Sequence, residues 1–220
     1  MKKTFLYSLI STYFILIIIF LFSTIASAEG WYELNSMSDS ELIAKVDEFK
    51  KKLDQEPDND EILKTLGIAY LIMAIKNPQA YAPLAVKFLS NAYERNENDY
   101  AILCYLGSAT TLMATTTNDT SKMGSYTNQG IALMDKAVRK APDNITVRLT
   151  RAYHSKNLPD FLGRRSVAIE DFEYLAEMIK NESSFPVPLK KEIYLNLIEL
   201  YEKSGNTEKA EYCQKLANGL

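Results

Sequence analysis

Near the C-terminus, apolar residues recur at intervals of three and four, which is typical of one face of an amphipathic helix. Gly205 then suits a left-handed helix end, and Asn206 can cap a second helix that follows it. This second helix has a narrow face of small residues. Neither helix can bury its apolar face alone, so the pair predicts a helix hairpin stacked on similar hairpins. The first face consists of Tyr194, Leu197, Ile198 and Tyr201, and the second of Ala210, Cys213 and Ala217.

The same pattern recurs three times upstream. In each copy, the first helix carries a small residue at the same position of the pattern, and in two of the three copies a leucine precedes it. The second helix carries spaced alanines. The clearest copy has Leu66, Gly67 and Tyr70, followed by Ala85, Leu89 and Ala92. The next copies have Leu106 and Gly107, followed by Ala137 and Pro142, and then Ala152, followed by Ala168, Phe172 and Leu175. A Pro-Asp-Asn signature ends a unit at Pro57 and again at Pro142, so residues 38–54 are predicted to form a lone second helix.

These motifs resemble the tetratricopeptide repeat (TPR), which has Leu-Gly-x-x-Tyr in its first helix and spaced alanines in its second. The resemblance covers residues 38–217 and implies an all-α fold. The expected architecture is a TPR-like α-solenoid of antiparallel helix hairpins, with about four repeats and an N-terminal half-repeat. The units are 40 to 46 residues apart, compared with 34 in the family, so insertions are required. They are predicted between the two helices of a hairpin, at residues 76–82, 115–128 and 157–165, as longer helices or longer loops.

The N-terminal 28 residues are predicted to be a secretory signal peptide. Lys2 and Lys3 precede a run without charge from Thr4 to Ala28, and residues 26–28 form a small-x-small cleavage site. The run is also long enough to span a bilayer, so an uncleaved anchor at residues 4–25 is the alternative. In both cases the repeats are expected on the outer side of the membrane, because a positively charged segment that flanks an apolar run stays on the cytoplasmic side. The expected location is therefore periplasmic or extracellular.

Two further segments follow the signal. Residues 29–37, which include Trp31 and Tyr32, are predicted to form an arm that covers the end of the repeat domain at residues 38–220. Ser38 and Glu41 have the spacing of a capping box at the start of the first helix. Removal of the signal takes away two lysines and leaves 23 basic against 28 acidic residues, a net charge of −5. This charge argues against nucleic acid as a partner.

Residues that support catalysis or metal binding are sparse. Cys104 and Cys213 are the only cysteines and fall on different hairpins, so free, buried thiols are expected. His154 is the only histidine and is predicted to face solvent or to cap a helix. The acidic residues Glu170, Asp171 and Glu173 are expected to complement a helix dipole. The chain is therefore predicted to be no enzyme and to need no cofactor or metal.

Two surfaces are candidates for partner binding. The first is the groove lined by the first helix of each hairpin, with Tyr105 and Tyr153 at its centre. Its other candidate residues are Lys64, Ile68, Ser108, Leu149 and Asn196. The second is the loop after residue 157, which carries Phe161, Arg164 and Arg165. In that loop, the apolar residues either plug a gap while the arginines pair with Glu170 or the next repeat, or the loop contacts a partner or an anion.

The sequence therefore predicts an exported, non-enzymatic scaffold that binds another protein of the cell envelope. The alternative is a small-molecule or glycan-binding accessory of an envelope transporter or wall enzyme, with a pocket supplied by the enlarged loops and the aromatic groove. A hydrolase is the third possibility, but it requires a polar catalytic constellation that the sequence does not display.

Overall fold

The computed structural model describes residues 33–180 and 185–220 of the 220-residue chain. The predicted signal peptide, Trp31 and Tyr32 lie outside the described residues. After residue 37, the described part contains nine α-helices, two 3-10 helices and no strand. The α-helices are α1 (Asp39–Gln55), α2 (Asp60–Lys76), α3 (Pro78–Arg95), α4 (Tyr100–Leu112), α5 (Thr120–Lys140), α6 (Ile145–Asn157), α7 (Arg165–Lys180), α8 (Val187–Lys203) and α9 (Thr207–Asn218). None of the helices in the described ranges has the length and apolar character needed to cross a membrane.

Most of the helices begin at a side chain that accepts hydrogen bonds from their first turn. At α1, the Ser38 side chain accepts from the Glu41 amide, and the Ser38 amide donates to Glu41 Oε2 at 2.8 Å, so the predicted capping box is confirmed. Asn206 caps α9 as predicted. Gly205 has a φ of +72° at the end of α8, which is the left-handed conformation expected there. Local sequence therefore sets the boundaries of these helices.

The helices pack as antiparallel hairpins in chain order. The hairpins are α2 with α3, α4 with α5, α6 with α7 and α8 with α9, and α1 packs on α2 as the predicted lone second helix. The second helix of each hairpin also packs on the first helix of the next hairpin. The prediction of a TPR-like α-solenoid with four repeats and a half-repeat is confirmed.

The three insertions lengthen helices at two places and form a loop at the third. Asn77 alone connects α2 to α3, so the first insertion is absorbed by helices of 17 and 18 residues. The second insertion forms the 3-10 helix Met113–Thr116 and extends α5 to 21 residues. Only the third, between α6 and α7, is a loop, and it contains the 3-10 helix Asp160–Leu162.

Glycines allow the helices of two hairpins to approach closely. A Cβ atom on Gly67 would lie 2.7 Å from the Leu89 side chain, as expected for the small-residue contact of that hairpin. The contact between α4 and α5 is tighter, because Gly107 faces Gly130. A Cβ atom on Gly107 would lie 2.7 Å from the carbonyl oxygen of Gly130. Backbone therefore meets backbone at the centre of this hairpin.

The buried apolar residues form two clusters that meet at α6. One extends from Leu34 to Val147, and the other from Leu149 to Ala217. Leu34 comes from the predicted arm and is buried in the first cluster, together with the apolar face of α1. The boundary between the two clusters is occupied by charged side chains of α6, among them Arg148 and Arg151. The stack is therefore joined at this point by polar contacts.

Both cysteines are free and buried, as the sequence predicts. The Cys104 thiol donates to the carbonyl oxygen of Val147 at 3.4 Å and connects α4 to α6. Burial raises the pKa of both thiols above their ordinary value. Neither cysteine is therefore activated as a nucleophile.

Candidate binding surface

The central tyrosines of the predicted groove both pack against other parts of the fold. Tyr105 is only 2% exposed, and its hydroxyl forms a hydrogen bond with the Thr150 side chain. Tyr153 is half-buried, and its ring lies edge-on to that of Phe172, with centroids 5.3 Å apart. The prediction that Tyr105 leaves a ring face to solvent is wrong. The reason is that α4 is apolar on all sides and is enclosed by α2, α3, α5 and α6.

The remaining groove candidates also contribute mainly to packing between hairpins. Ile68 and Leu149 are buried. Lys64 is half-buried and pairs with Asp99 at 3.2 Å, which ties α2 to the start of α4. Asn196 is buried, accepts a hydrogen bond from Lys156 Nζ at 2.7 Å, and donates to the Glu192 carbonyl oxygen at 2.8 Å. These side chains are therefore already engaged within the fold.

His154 connects two hairpins, which corrects the prediction that it faces solvent or caps a helix. Its Nδ1 lies 3.2 Å from Ser108 Oγ, and its Nε2 contacts Thr111 Oγ1. Ser108, the last of the groove candidates, thus joins α4 to α6. Burial, and secondarily the nearby Arg164 guanidinium, lower the pKa of His154 to about 4. The imidazole is therefore neutral in the folded protein near pH 7.

The pKa of His154 leads to a testable pH dependence of stability. Its folded pKa of about 4 lies below the unfolded value of about 6.5, so the unfolded chain binds more protons between these values. The stabilising contribution is complete above about pH 6.5 and is lost as the pH falls towards about 4. We expect the difference in unfolding free energy between wild type and His154→Gln to decrease over this range. A difference that is constant between pH 4 and 6.5 would contradict the assignment.

A network of ion pairs occupies the boundary between the two apolar clusters. Arg151 binds Asp171 through two bonds, Nε to Oδ2 at 2.7 Å and Nη2 to Oδ1 at 2.8 Å. Arg148 Nη1 donates to Asp171 Oδ1 at 2.8 Å. Asp171 is fully buried, and its carboxylate holds the two guanidinium groups together. It does not complement the dipole of α7 as predicted. Glu170 lies on the exposed edge of the same network, 3.7 to 3.8 Å from both arginines.

The arginines of the loop between α6 and α7 fix that loop in place. Arg164 forms two bonds to Asp135 of α5, at 2.6 and 3.0 Å, so it pairs with the preceding hairpin and not with Glu170. Arg165 pairs with Asp160 at 2.5 Å and donates to the Lys203 carbonyl oxygen at 3.3 Å. Gly163 closes the loop with a φ of +67°. The loop is therefore attached to α5 on one side and to the end of α8 on the other.

Phe161 projects from this fixed loop into solvent. Its side chain is 86% exposed, the largest value among the exposed apolar side chains of the described residues. Of the two alternatives for this loop, the one in which Phe161 plugs a gap in the fold is therefore wrong. Exposed aromatic side chains on rigid supports are the usual anchors of protein interfaces, because they bury much area with little loss of conformational entropy. The loop at residues 158–165 is therefore the candidate contact surface, and we call it the Phe161 loop.

A cleft of about 270 Å³ lies between α7, α8 and α9. It is lined by small and apolar side chains, three tyrosines and four charged side chains. Lys209 of α9 pairs with Glu173 of α7 across the cleft at 2.7 Å, and Tyr201 donates to the same carboxylate at 2.5 Å. Lys180 pairs with Glu177 at 2.6 Å. The other lining residues are Ala176, Tyr194, Leu197, Tyr212, Cys213 and Leu216, and we call this site the α7–α9 cleft.

Sequence reasoning treated Tyr194 and Tyr201 as packing residues and did not single out Tyr212. The first two are indeed buried, but they also line the cleft. Its lining includes the small side chains of Ala176 on α7 and Cys213 on α9. Such a gap depends on the distance between two helices that are not adjacent in sequence. The pattern of one helix alone does not reveal it.

No family model and no curated protein matches the chain. Among solved structures, it is similar to a thermophilic TPR protein of Thermus thermophilus, with a TM-score of 0.59 and 20% sequence identity. The likeness covers 80% of this chain and 81% of the other. It shows a TPR-like fold. Within the described residues, no group of three or more His, Cys, Asp or Glu side chains is arranged to hold a metal ion.

Proposed function

We propose that this protein is an exported, non-enzymatic TPR-like scaffold that binds other proteins of the cell envelope through the Phe161 loop. The exposure of Phe161 on a loop fixed at both ends is the observation that carries the proposal. A fixed loop is already ordered before it binds, so little entropy is lost on association. The stacked hairpins supply the rigid support that such an anchor needs.

The export part of the proposal rests on the sequence of residues 1–28. Two lysines, an uncharged apolar run and a small-x-small site are the three regions of a signal peptide. Cleavage after Ala28 gives a mature chain that begins at Glu29, and the intact mass of the exported protein measures this directly. A mass that retains residues 1–28, in a membrane fraction resistant to carbonate washing, would instead identify an anchor.

The structure favours a protein partner over a small molecule. The α7–α9 cleft, at about 270 Å³, is below the usual range of about 300 to 1,000 Å³ for pockets that enclose drug-sized ligands. It is also partly open to solvent, and Tyr212, one of its lining residues, is 55% exposed. A mixture of apolar and charged lining residues is usual in protein contact sites.

We expect Phe161→Ala to weaken partner binding by about tenfold or more, because truncation of an anchor residue removes the centre of the contact. The change should leave the melting temperature unaltered, since the ring packs against little of the protein. Wild-type and variant proteins are immobilised, and the proteins that each retains from envelope extract are quantified by mass spectrometry. Met123→Ala is the matched control, because Met123 is also an exposed apolar residue but lies on α5. Equal retention by wild type and Phe161→Ala would reject the Phe161 loop as the site.

A further inference from the structure

The first and the last hairpin of the stack can be compared position by position, because both contain the same repeat pattern. In each first helix a leucine precedes a tyrosine by four residues, and in each second helix two alanines lie seven residues apart. These residues are Leu66, Tyr70, Ala85 and Ala92 in the first hairpin, and Leu197, Tyr201, Ala210 and Ala217 in the last. By this register, Tyr201 of α8 corresponds to Tyr70 of α2. Cys213 of α9 corresponds to Phe88 of α3, because each lies three residues after the first alanine.

In the first hairpin, two aromatic side chains of α3 stack on the ring of Tyr70. The Phe88 ring lies with its centroid 5.5 Å from that of Tyr70, at an interplanar angle of 17°. The Tyr81 ring lies with its centroid 6.2 Å away, at an angle of 24°. Aromatic rings of the same chain therefore occupy the positions beside this tyrosine.

In the last hairpin, neither of these two rings has an aromatic counterpart. Cys213 is the counterpart of Phe88. The counterpart of Tyr81 is Asn206, the polar cap of α9. Tyr201 and Cys213 both line the α7–α9 cleft. The cleft, of about 270 Å³, therefore lies beside a tyrosine at a position that an aromatic ring fills in the first hairpin.

The charged side chains of the cleft are paired with one another. Lys209 pairs with Glu173 at 2.7 Å, and Lys180 pairs with Glu177 at 2.6 Å. The four described charged residues of the lining therefore sum to no net charge and are all engaged. Transfer of an ion out of water without a partner is costly, so this lining favours an uncharged occupant.

The size and the aromatic lining of the cleft suit a single ring. An apolar cavity of about 150 Å³ is sufficient to bind benzene, so about 270 Å³ has the volume for a phenyl ring and its methylene group. Tyr194, Tyr201 and Tyr212 line the cleft. Aromatic rings gain free energy from offset-stacked and edge-to-face contacts with one another beyond the area that they bury, which favours an aromatic over an aliphatic occupant.

We propose that the α7–α9 cleft binds a phenylalanine side chain of a partner protein, which stacks on Tyr201 as Phe88 stacks on Tyr70. The cleft is partly open to solvent, so the backbone that carries the ring remains outside it, on the partner. The inference goes beyond the proposed function, because the cleft is a second contact surface and shares no residue with the Phe161 loop.

The shape of the cleft is tested by giving the last hairpin the ring that the first hairpin has. We expect Cys213→Phe to raise the melting temperature by about 2–4 °C, because the new ring buries apolar surface in space that is already free. Cys104→Phe is the matched control. Cys104 is fully buried between α4 and α6, so the same exchange there should lower the melting temperature by about 4 °C or more through overpacking. A Cys213→Phe protein that melts below wild type would overturn the proposal.

N-acetyl-phenylalaninamide serves as an uncharged probe of the occupant. In an NMR titration, we expect the amide signals of residues that line the cleft to shift saturably, with a Kd of about 1–10 mM. N-acetyl-leucinamide should bind about fivefold more weakly. Cys213→Phe should abolish the shifts, whereas Phe161→Ala should leave them unchanged. Equal binding of the two probes, or no saturable shift up to about 20 mM, would contradict the proposal.

Photo-crosslinking from position 212 identifies the occupant in cells. Tyr212 lines the cleft and is 55% exposed, so a photoreactive phenylalanine analogue replaces it without altering a buried residue. We expect an adduct with another protein, through a peptide that contains a phenylalanine, and loss of this adduct when Cys213→Phe fills the cleft. An adduct with a second copy of this chain, or no adduct, would overturn the proposal. Adducts from position 161 should persist in Cys213→Phe, so a failure at the cleft is distinguished from a failure of the proposed function.

Discussion

Replacing Asp171 with Ala is expected to lower the free energy of unfolding by about 3–5 kcal/mol, the usual result of removing one partner from a buried ion pair. Asp171 is fully buried and accepts hydrogen bonds from both Arg148 and Arg151. Its removal leaves two guanidinium groups without their shared carboxylate at the boundary between the apolar clusters. For a domain of this size, we expect the melting temperature to fall by about 10 °C.

Glu170→Ala is the matched control for this experiment. Glu170 precedes Asp171 on α7 and lies near the same arginines, but its side chain is 67% exposed. We expect its replacement to change the stability by less than about 0.5 kcal/mol, as is usual for exposed ion pairs. Equal effects of the two substitutions in chemical denaturation would show that burial does not determine the strength of this network.

The second large effect is expected at Gly130 of α5. A Cβ atom there would contact the Gly107 carbonyl oxygen and the Thr111 side chain, and would lie 2.8 Å from the Thr111 amide nitrogen. Because two of these neighbours are backbone atoms, α4 and α5 must separate to admit a side chain. We expect Gly130→Leu to cost about 3 kcal/mol, at the upper end for overpacking, despite a gain in helix propensity of about 1 kcal/mol.

Gly124 on the same helix provides the control for this substitution. A Cβ atom on Gly124 would meet no atom within 4 Å. We therefore expect Gly124→Leu to leave the stability unchanged or to raise it by up to about 1 kcal/mol through helix propensity alone. Thermal unfolding of both variants by circular dichroism measures the difference. A Gly130→Leu protein that melts at the wild-type temperature would contradict the close approach of α4 and α5.

The hairpin architecture was predictable because its signals are local. Ser38, Asn206 and Gly205 fix helix ends through their own side chains or backbone conformation. The spacing of small residues such as Gly67 and Gly107 then indicates which helix faces pack closely. These features depend on a few neighbouring residues, so one sequence is sufficient to interpret them.

The binding surface was less predictable because it depends on which helices enclose each other. The position of Tyr105 on a first helix favoured a groove, but four neighbouring helices bury it. Arg148 and Arg151 lie three residues apart on α6, a spacing that puts both on one helix face. Sequence alone does not show that this face meets Asp171 or Asp135. Phe161 differs from its expectation in the opposite direction to Tyr105. An apolar residue in a loop is expected to be covered by the fold, but Phe161 is exposed.

Site-specific photo-crosslinking from position 161 tests the central claim most directly. A photoreactive phenylalanine analogue replaces Phe161 in the full chain inside living cells, and the same analogue at Met123 serves as the control. The account predicts a covalent protein adduct from position 161 and none from position 123. Mass spectrometry of the adduct then shows whether it contains a second copy of this chain or another protein. Illumination that yields no adduct from position 161 would contradict the claim that the Phe161 loop is a protein contact surface.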